Sequence, residues 1–182
     1  MTDMDLLREL ERRIDSKLIE VNENEIEKKF KKNWGNYYSI NCNNITGLSL
    51  SYINKEHYKY IILNLKNLKY LCLLDNQIND ISVLKDLKSL THLDLRNNQI
   101  NDISVLKDLK SLISLNLYSN QITNISALKE LKSLTFLYLG LNQINDISAL
   151  KELKSLTDLD LGNNQIKILP KWITDSNYCC AK

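Results

Sequence analysis

Cys72, His92 and Asp94 are the side-chain types of a thiol hydrolase: a sulfur to attack a carbonyl, an imidazole to take its proton and a carboxylate to orient the ring. Cys72 and Asp94 are 22 residues apart, and His92 lies two residues before Asp94. If these segments are adjacent parallel strands, a spacing of ~4.8 Å and an offset of ~6.7 Å put the Cys72 and His92 Cα atoms about 8 Å apart. Their side chains could then meet. An open sheet face, however, offers neither an oxyanion hole nor a shield from water, and these carry most of the rate in acyl transfer. The sequence has no Gly-rich phosphate loop, no H-E-x-x-H and no G-x-S-x-G, and its four glycines leave little material for such loops. Cys42, Cys72, Cys179 and Cys180, with His57 and His92, show no metal-ligand spacing, so neither metal nor cofactor is expected. The chain reads as non-enzymatic, with a cysteine-dependent hydrolase at Cys72, His92 and Asp94 as the minor alternative.

A repeat positions these residues. Asn76, Asn98, Asn120, Asn142 and Asn164 follow one another at intervals of 22, and the leucine pairs Leu71/Leu73, Leu93/Leu95, Leu115/Leu117, Leu137/Leu139 and Leu159/Leu161 keep step. The alternation in Leu93-Asp94-Leu95 is that of a strand, which turns both leucines inward and His92, Asp94 and Arg96 to the opposite face. At Asn98 the chain must turn sharply, which leaves backbone groups that no strand or helix satisfies. The return segment places Ile100, Ile103, Leu106, Leu109 and Leu112 at steps of three, which suits a short 3₁₀ or irregular helical stretch.

The shared frame, L-x-x-L-x-L-x-x-N-x-I at Leu90 to Ile100, resembles the leucine-rich repeat. The wording after the strand, N-x-I-x-D-I-S-x-L-x-x-L at Asn98 to Leu109, is similar to the 22-residue repeats of bacterial internalins and of the leucine-rich regulatory subunit of protein phosphatase 1. The resemblance implies an α/β leucine-rich-repeat solenoid: a curved parallel sheet on the concave face, short 3₁₀ or helical segments on the convex face, and a helical N-terminal cap. It also implies the turn-spanning role of the five asparagines and a scaffold that binds proteins on its strand face.

Four segments are expected on this basis: a helical cap over 1–44, a degenerate first repeat over 45–67, five full repeats over 68–169, and a C-terminal cap and tail over 170–182. Raw solenoid ends must be covered. Leu6, Leu7, Leu10, Ile14 and Leu18 make one helical stripe, and a second helix from Asn24 would carry Ile26, Phe30 and Trp34. At the other end Ile168, Leu169, Trp172 and Ile173 are available to close the last repeat, with Pro170 where the repeat rule stops.

Within the repeats, the letters that drift belong to the strand face. Tyr70, Cys72, His92, Asp94, Arg96, Asn116, Tyr118, Phe136, Tyr138, Leu141, Asp158 and Asp160 are the candidate partner-binding residues, all expected to be exposed there. Tyr118, Phe136, Tyr138 and Leu141 among them fall on neighbouring strands, as interface anchors do.

Composition bounds the partner. Lysines and arginines (24) nearly balance acids (22) and mingle with them, so no basic block points to nucleic acid. No apolar run approaches the roughly 18 to 20 residues that cross a bilayer, and the opening MTDMDLLRELERRIDSKL has neither the basic start nor the apolar core of a secretory signal. The expectation is a cytoplasmic, monomeric module for a protein or peptide partner, without nucleic acid or membrane. A secreted or injected effector or adhesin that uses the same face is the alternative.

Overall fold

The structure, a computed structural model, describes residues 2–14, 17–22, 25, 37–41, 44–51, 59 and 62–174. Its repeating unit is short. Each strand is three residues long, namely β4 (Tyr70–Cys72), β5 (His92–Asp94), β6 (Ser114–Asn116), β7 (Phe136–Tyr138) and β8 (Asp158–Asp160). They pair in parallel with Leu71, Leu93, Leu115, Leu137 and Leu159 in one row. The second leucine of each pair extends the ladder: the amides of Leu73, Leu95, Leu117 and Leu139 each donate to a carbonyl of the next strand at 2.8 Å. All ten leucines of these pairs are buried.

The return segments form 3₁₀ turns at Ser82–Asp86, Ser104–Asp108, Ser126–Glu130 and Ser148–Glu152. Their period explains their leucines. A 3₁₀ helix eclipses side chains three apart, and Ile103, Leu106, Leu109 and Leu112 all face inward. The amides of Leu106, Leu109 and Leu112 each bond the carbonyl three residues back, at 2.9 to 3.1 Å. The start of each turn is set by an aspartate or asparagine whose Oδ1 accepts from the serine amide two residues on: Asp80 from Ser82, Asp102 from Ser104, Asn124 from Ser126 and Asp146 from Ser148. Convex lysines reach acids of the next repeat, Lys66 to Asp86, Lys88 to Asp108 and Lys132 to Glu152. These pairs are exposed and add little stability.

The N-terminal region covers the first repeat. Helix α1 (Asp3–Ile14) begins in a reciprocal cap, Thr2 Oγ1 accepting from the Asp5 amide and Asp5 Oδ2 accepting from the Thr2 amide. It buries Leu6, Leu7 and Leu10 in the same core as Ile45, Leu48 and Leu50. Asp3 ties it down by accepting the Ile45 amide at 2.7 Å.

The apolar spacing implies a helical cap over 1–44, but the described part of it also holds strands. β1 (Ile19–Glu20) and β2 (Tyr37–Asn41) continue the sheet, which among the described residues has eight strands in sequence order. Strands of this length carry too few alternations to be read from pattern. β2 runs antiparallel to β3 (Asn44–Ser49), and from β3 onward all pairing is parallel. β3 sets Leu48 beside Leu71, where the degenerate first repeat should stand. Asn22 and Glu25 form a reciprocal cap, while the helix expected from Asn24, with Ile26, Phe30 and Trp34, lies outside the described residues.

At the other end the closure differs from expectation. Ile173 is buried and Trp172 packs on the core, but Ile168 is 83% exposed and Leu169 is also exposed. Pro170 disfavours helix at Leu169 and starts the short helix α2 (Lys171–Thr174) behind it, and the helix alone brings apolar side chains back.

The turns after the strands are held by the five asparagines. Asn98 donates from Nδ2 to the carbonyls of Leu73, Leu95 and Arg96, and accepts on Oδ1 from the amides of Asn76 and Ile78. Asn120 likewise reaches back to Leu95 O and accepts from Ile100; Asn142 and Asn164 repeat the pattern one and two turns on. Each carboxamide therefore joins two successive repeats. Among the described residues, no buried side-chain nitrogen or oxygen lacks a partner.

Replacing Asn120 by alanine strands the Ile100 amide in the core and removes one of the two amide donors to the Leu95 carbonyl, and should lower unfolding stability by about 1 to 3 kcal/mol. Asn164→Ala, at a half-buried position in the last repeat, should lower it by less. Urea unfolding of both variants checks the order.

Candidate functional site

Two rows of side chains run across the concave face in strict register: Tyr70, His92, Ser114, Phe136 and Asp158, and Cys72, Asp94, Asn116, Tyr138 and Asp160. The face divides in two. On β4 and β5 the side chains satisfy one another. The Tyr70 and His92 rings stack with centroids 4.8 Å apart, and His92 Nδ1 is 2.9 Å from Thr91 Oγ1. Asp94 holds the Arg96 guanidinium, with Arg96 Nε 3.0 Å from each of its carboxylate oxygens.

Two candidates are not where the strand pattern puts them. Cys72 and Asp94 are each only 2% exposed, although their register positions face outward. Arg96 lies over the Asp94 carboxylate, and Cys72 is a small side chain between two strands, paired with Ser49 on one side and Asp94 on the other. Burial pushes the Asp94 carboxyl up, against the downward pull of Arg96. Burial, with the nearby Asp94 charge, pushes the Cys72 thiol up to about 12. The thiol is thus held protonated, and the His92 ring stacks on Tyr70.

On β6 to β8 the face is aromatic and acidic. Asn116, Tyr118, Phe136, Tyr138, Asp158 and Asp160 are all half-buried. Two loop bonds hold their backbones, Asn116 Oδ1 accepting from the Tyr118 amide and Asp160 Oδ1 from the Gly162 amide. Neither Asp158 nor Asp160 has a cation within ion-pair distance among the described residues. Gly140 is among the drifting positions but not among the candidate partner-binding residues. A Cβ there would meet the Tyr118 ring and Asp160 Oδ2, each at 2.8 Å, so the missing side chain is what lets both close over β7. The signal was present in the sequence: the same place in the other repeats holds Leu74, Arg96, Tyr118 and Gly162.

The rim carries a conformational cost. Asp75, Asn97, Ser119, Leu141 and Asn163, each just before a ladder asparagine, have φ between 52° and 57°. Aspartate and asparagine tolerate this left-handed region, but leucine does so poorly. Leu141 nevertheless sits there, 42% exposed, beside the aromatic half of the face.

The family profile described as Leucine Rich repeats (2 copies) matches the chain at residues 66–108, 88–130, 110–152 and 132–173, more than half of its length in all. No curated protein matches it in sequence. Among solved structures, the crystal structure of internalin C2 from Listeria monocytogenes superposes with a TM-score of 0.61 and 24% identity, over 87% of this chain and 90% of that one. Another internalin of the same organism aligns at a TM-score of 0.49 and 28% identity, over 78% of this chain and 48% of that one. The internalin C2 likeness is one of fold. Together with the matched repeats, the stacked three-residue strands and the asparagine turns, it places this chain in the leucine-rich repeat family.

Proposed function

We propose that the chain is a non-catalytic scaffold that receives a protein or peptide partner on the concave face of its sheet, with Tyr138 at the centre of the contact and no cofactor. The observation that carries this reading is the contrast between the two halves of the face. β4 and β5 carry a ring stack and a buried ion pair, whereas β6 to β8 gather the aromatic rings of Tyr118, Phe136 and Tyr138 beside an exposed Leu141. Aromatic anchors inside a polar rim are the usual energetic centre of an interface. Leu141 adds weight, since an exposed apolar residue at a strained backbone position serves no packing purpose in the free chain. The cytosol is the compartment that suits the cysteine content, which shows no disulfide framework.

The lysine-rich convex side supports this reading less well. Its lysines have acids nearby, which cancels most of their field, and Lys132 is bridged to Glu152 at 3.2 Å.

Tyr138→Ala should weaken partner binding by about 2 kcal/mol or more with little loss of stability, while Lys132→Ala should leave binding nearly unchanged. Affinity capture from the source organism followed by calorimetric titration of both variants tests this, and a larger loss at Lys132 would move the site to the convex side. A companion measurement addresses the thiol. In a variant with Cys42, Cys179 and Cys180 changed to serine, native Cys72 should alkylate with iodoacetamide at least roughly 100-fold more slowly than in the unfolded chain. Its folded pKa of about 12 lies above the ordinary 9.0, so the neutral thiol favours the fold fully below pH 9.0, and that contribution is lost as pH rises toward 12. Fast labelling at neutral pH would restore the nucleophile reading.

A further inference from the structure

We infer that the C-terminal half of the concave face takes a cationic side chain, arginine or lysine, which a protein partner carries next to an apolar residue. This rests on the reading of the concave face as the docking surface and specifies what docks there. Three observations lead to it.

The first is charge. Both ionised side chains on the rows of β6 to β8 are acids, Asp158 and Asp160. They stand two residues apart on one strand and so share a face, with no ion pair to a described residue. Two carboxylates two residues apart repel each other at neutral pH, and a cation between them removes that repulsion.

The second is the neighbouring half, where the same register position is neutralised internally. Asp94 occupies on β5 the row that Asp160 occupies on β8, and the chain supplies Arg96 two residues later to bind it. The residue two after Asp160 is Gly162, so no side chain of its own strand can reach across in the same way. The Asp94–Arg96 pair therefore shows, within this molecule, the kind of group that a concave aspartate accepts.

The third is the wall. With no side chain at Gly140, the Tyr118 ring and Asp160 Oδ2 each come within 2.8 Å of its empty Cβ position. Ring and carboxylate are thus close enough for one cation to lie within the about 6 Å over which it senses a ring. Tyr138 and Phe136 lie on the strand between β6 and β8 and offer apolar area for the neighbouring residue of the partner. Phosphate-bearing ligands are disfavoured by the same two acids.

The test is selection of a phage-displayed library of random peptides against the full chain, followed by titration of the winners. Enriched peptides should carry arginine or lysine beside an aromatic or aliphatic residue. They should bind Asp160→Asn about tenfold more weakly, the equivalent of 1.4 kcal/mol, and should be weakened by Tyr138→Ala as well. Glu152→Gln, which removes an acid from the convex side, should leave their affinity unchanged. Melting temperature and circular dichroism of the Asp160→Asn chain should match the parent. Winners without cations that remain sensitive to Tyr138→Ala would overturn the cation inference and leave the docking face standing. Winners indifferent to both Tyr138→Ala and Asp160→Asn would overturn both readings. An equal loss with Glu152→Gln, or no enrichment at all, would also overturn the cation inference.

Discussion

One side-chain amide per repeat decides whether the rest of this molecule can exist. At the end of each three-residue strand the backbone turns sharply inside the core, and its polar groups there have no partner in either strand or 3₁₀ segment. Leaving such groups bare costs on the order of 1 to 3 kcal/mol each. A carboxamide both donates and accepts, and it is short enough to sit inside the turn. Asn98, Asn120, Asn142 and Asn164 use this property in the same way. Nδ2 reaches the carbonyl of the preceding repeat and those of its own, and Oδ1 receives the amide of an isoleucine from the preceding turn. Aspartate lacks the donor and leucine lacks both, which is why this letter stays constant while its neighbours change.

The shape of the concave face follows from that constraint. A fixed asparagine fixes the turn, the turn fixes the strand register, and the register sets residues 22 apart beside each other on adjacent strands. The turn also demands a left-handed residue just ahead of the asparagine, which Asp75, Asn97 and Asn163 supply comfortably and Leu141 does not. Chemistry can then vary only in the rows between the leucines. Across five strands those rows pass from a half with Tyr70 on His92 and Arg96 on Asp94 to a half of tyrosines, phenylalanine and aspartates.

Periodicity reveals what repeats and is silent about what happens once. The strands, the 3₁₀ returns and the buried asparagines were legible because each recurs with its physical cause in view: alternation for the strand, steps of three for the return, an amide at the turn. The burial of Asp94 was not legible, because it depends on a single long neighbour, Arg96, folding back over its own strand, and that of Cys72 was not, because it depends on which residues flank it on the adjacent strands. β1 and β2 were missed because two to five residues are too few to show a period. Ile168 and Leu169 read as core by composition, yet the proline after them turns the chain before they reach it. At the candidate site, the aromatic cluster could be named from the drifting letters, whereas the importance of Gly140 required knowing that Tyr118 and Asp160 converge there.

The asparagine ladder is tested most directly by native-state hydrogen exchange at the amides of Ile78, Ile100, Ile122 and Ile144. These amides lie outside strands and 3₁₀ segments, and each donates to an asparagine Oδ1 at 2.8 to 3.0 Å. If the ladder holds the repeats together, they exchange as slowly as the ladder amides of Leu95, Leu117 and Leu139. Exchange at the rate of an exposed loop amide, while those leucines stay protected, would show that the turns are held by something other than the asparagines and would contradict the ladder as the organising interaction.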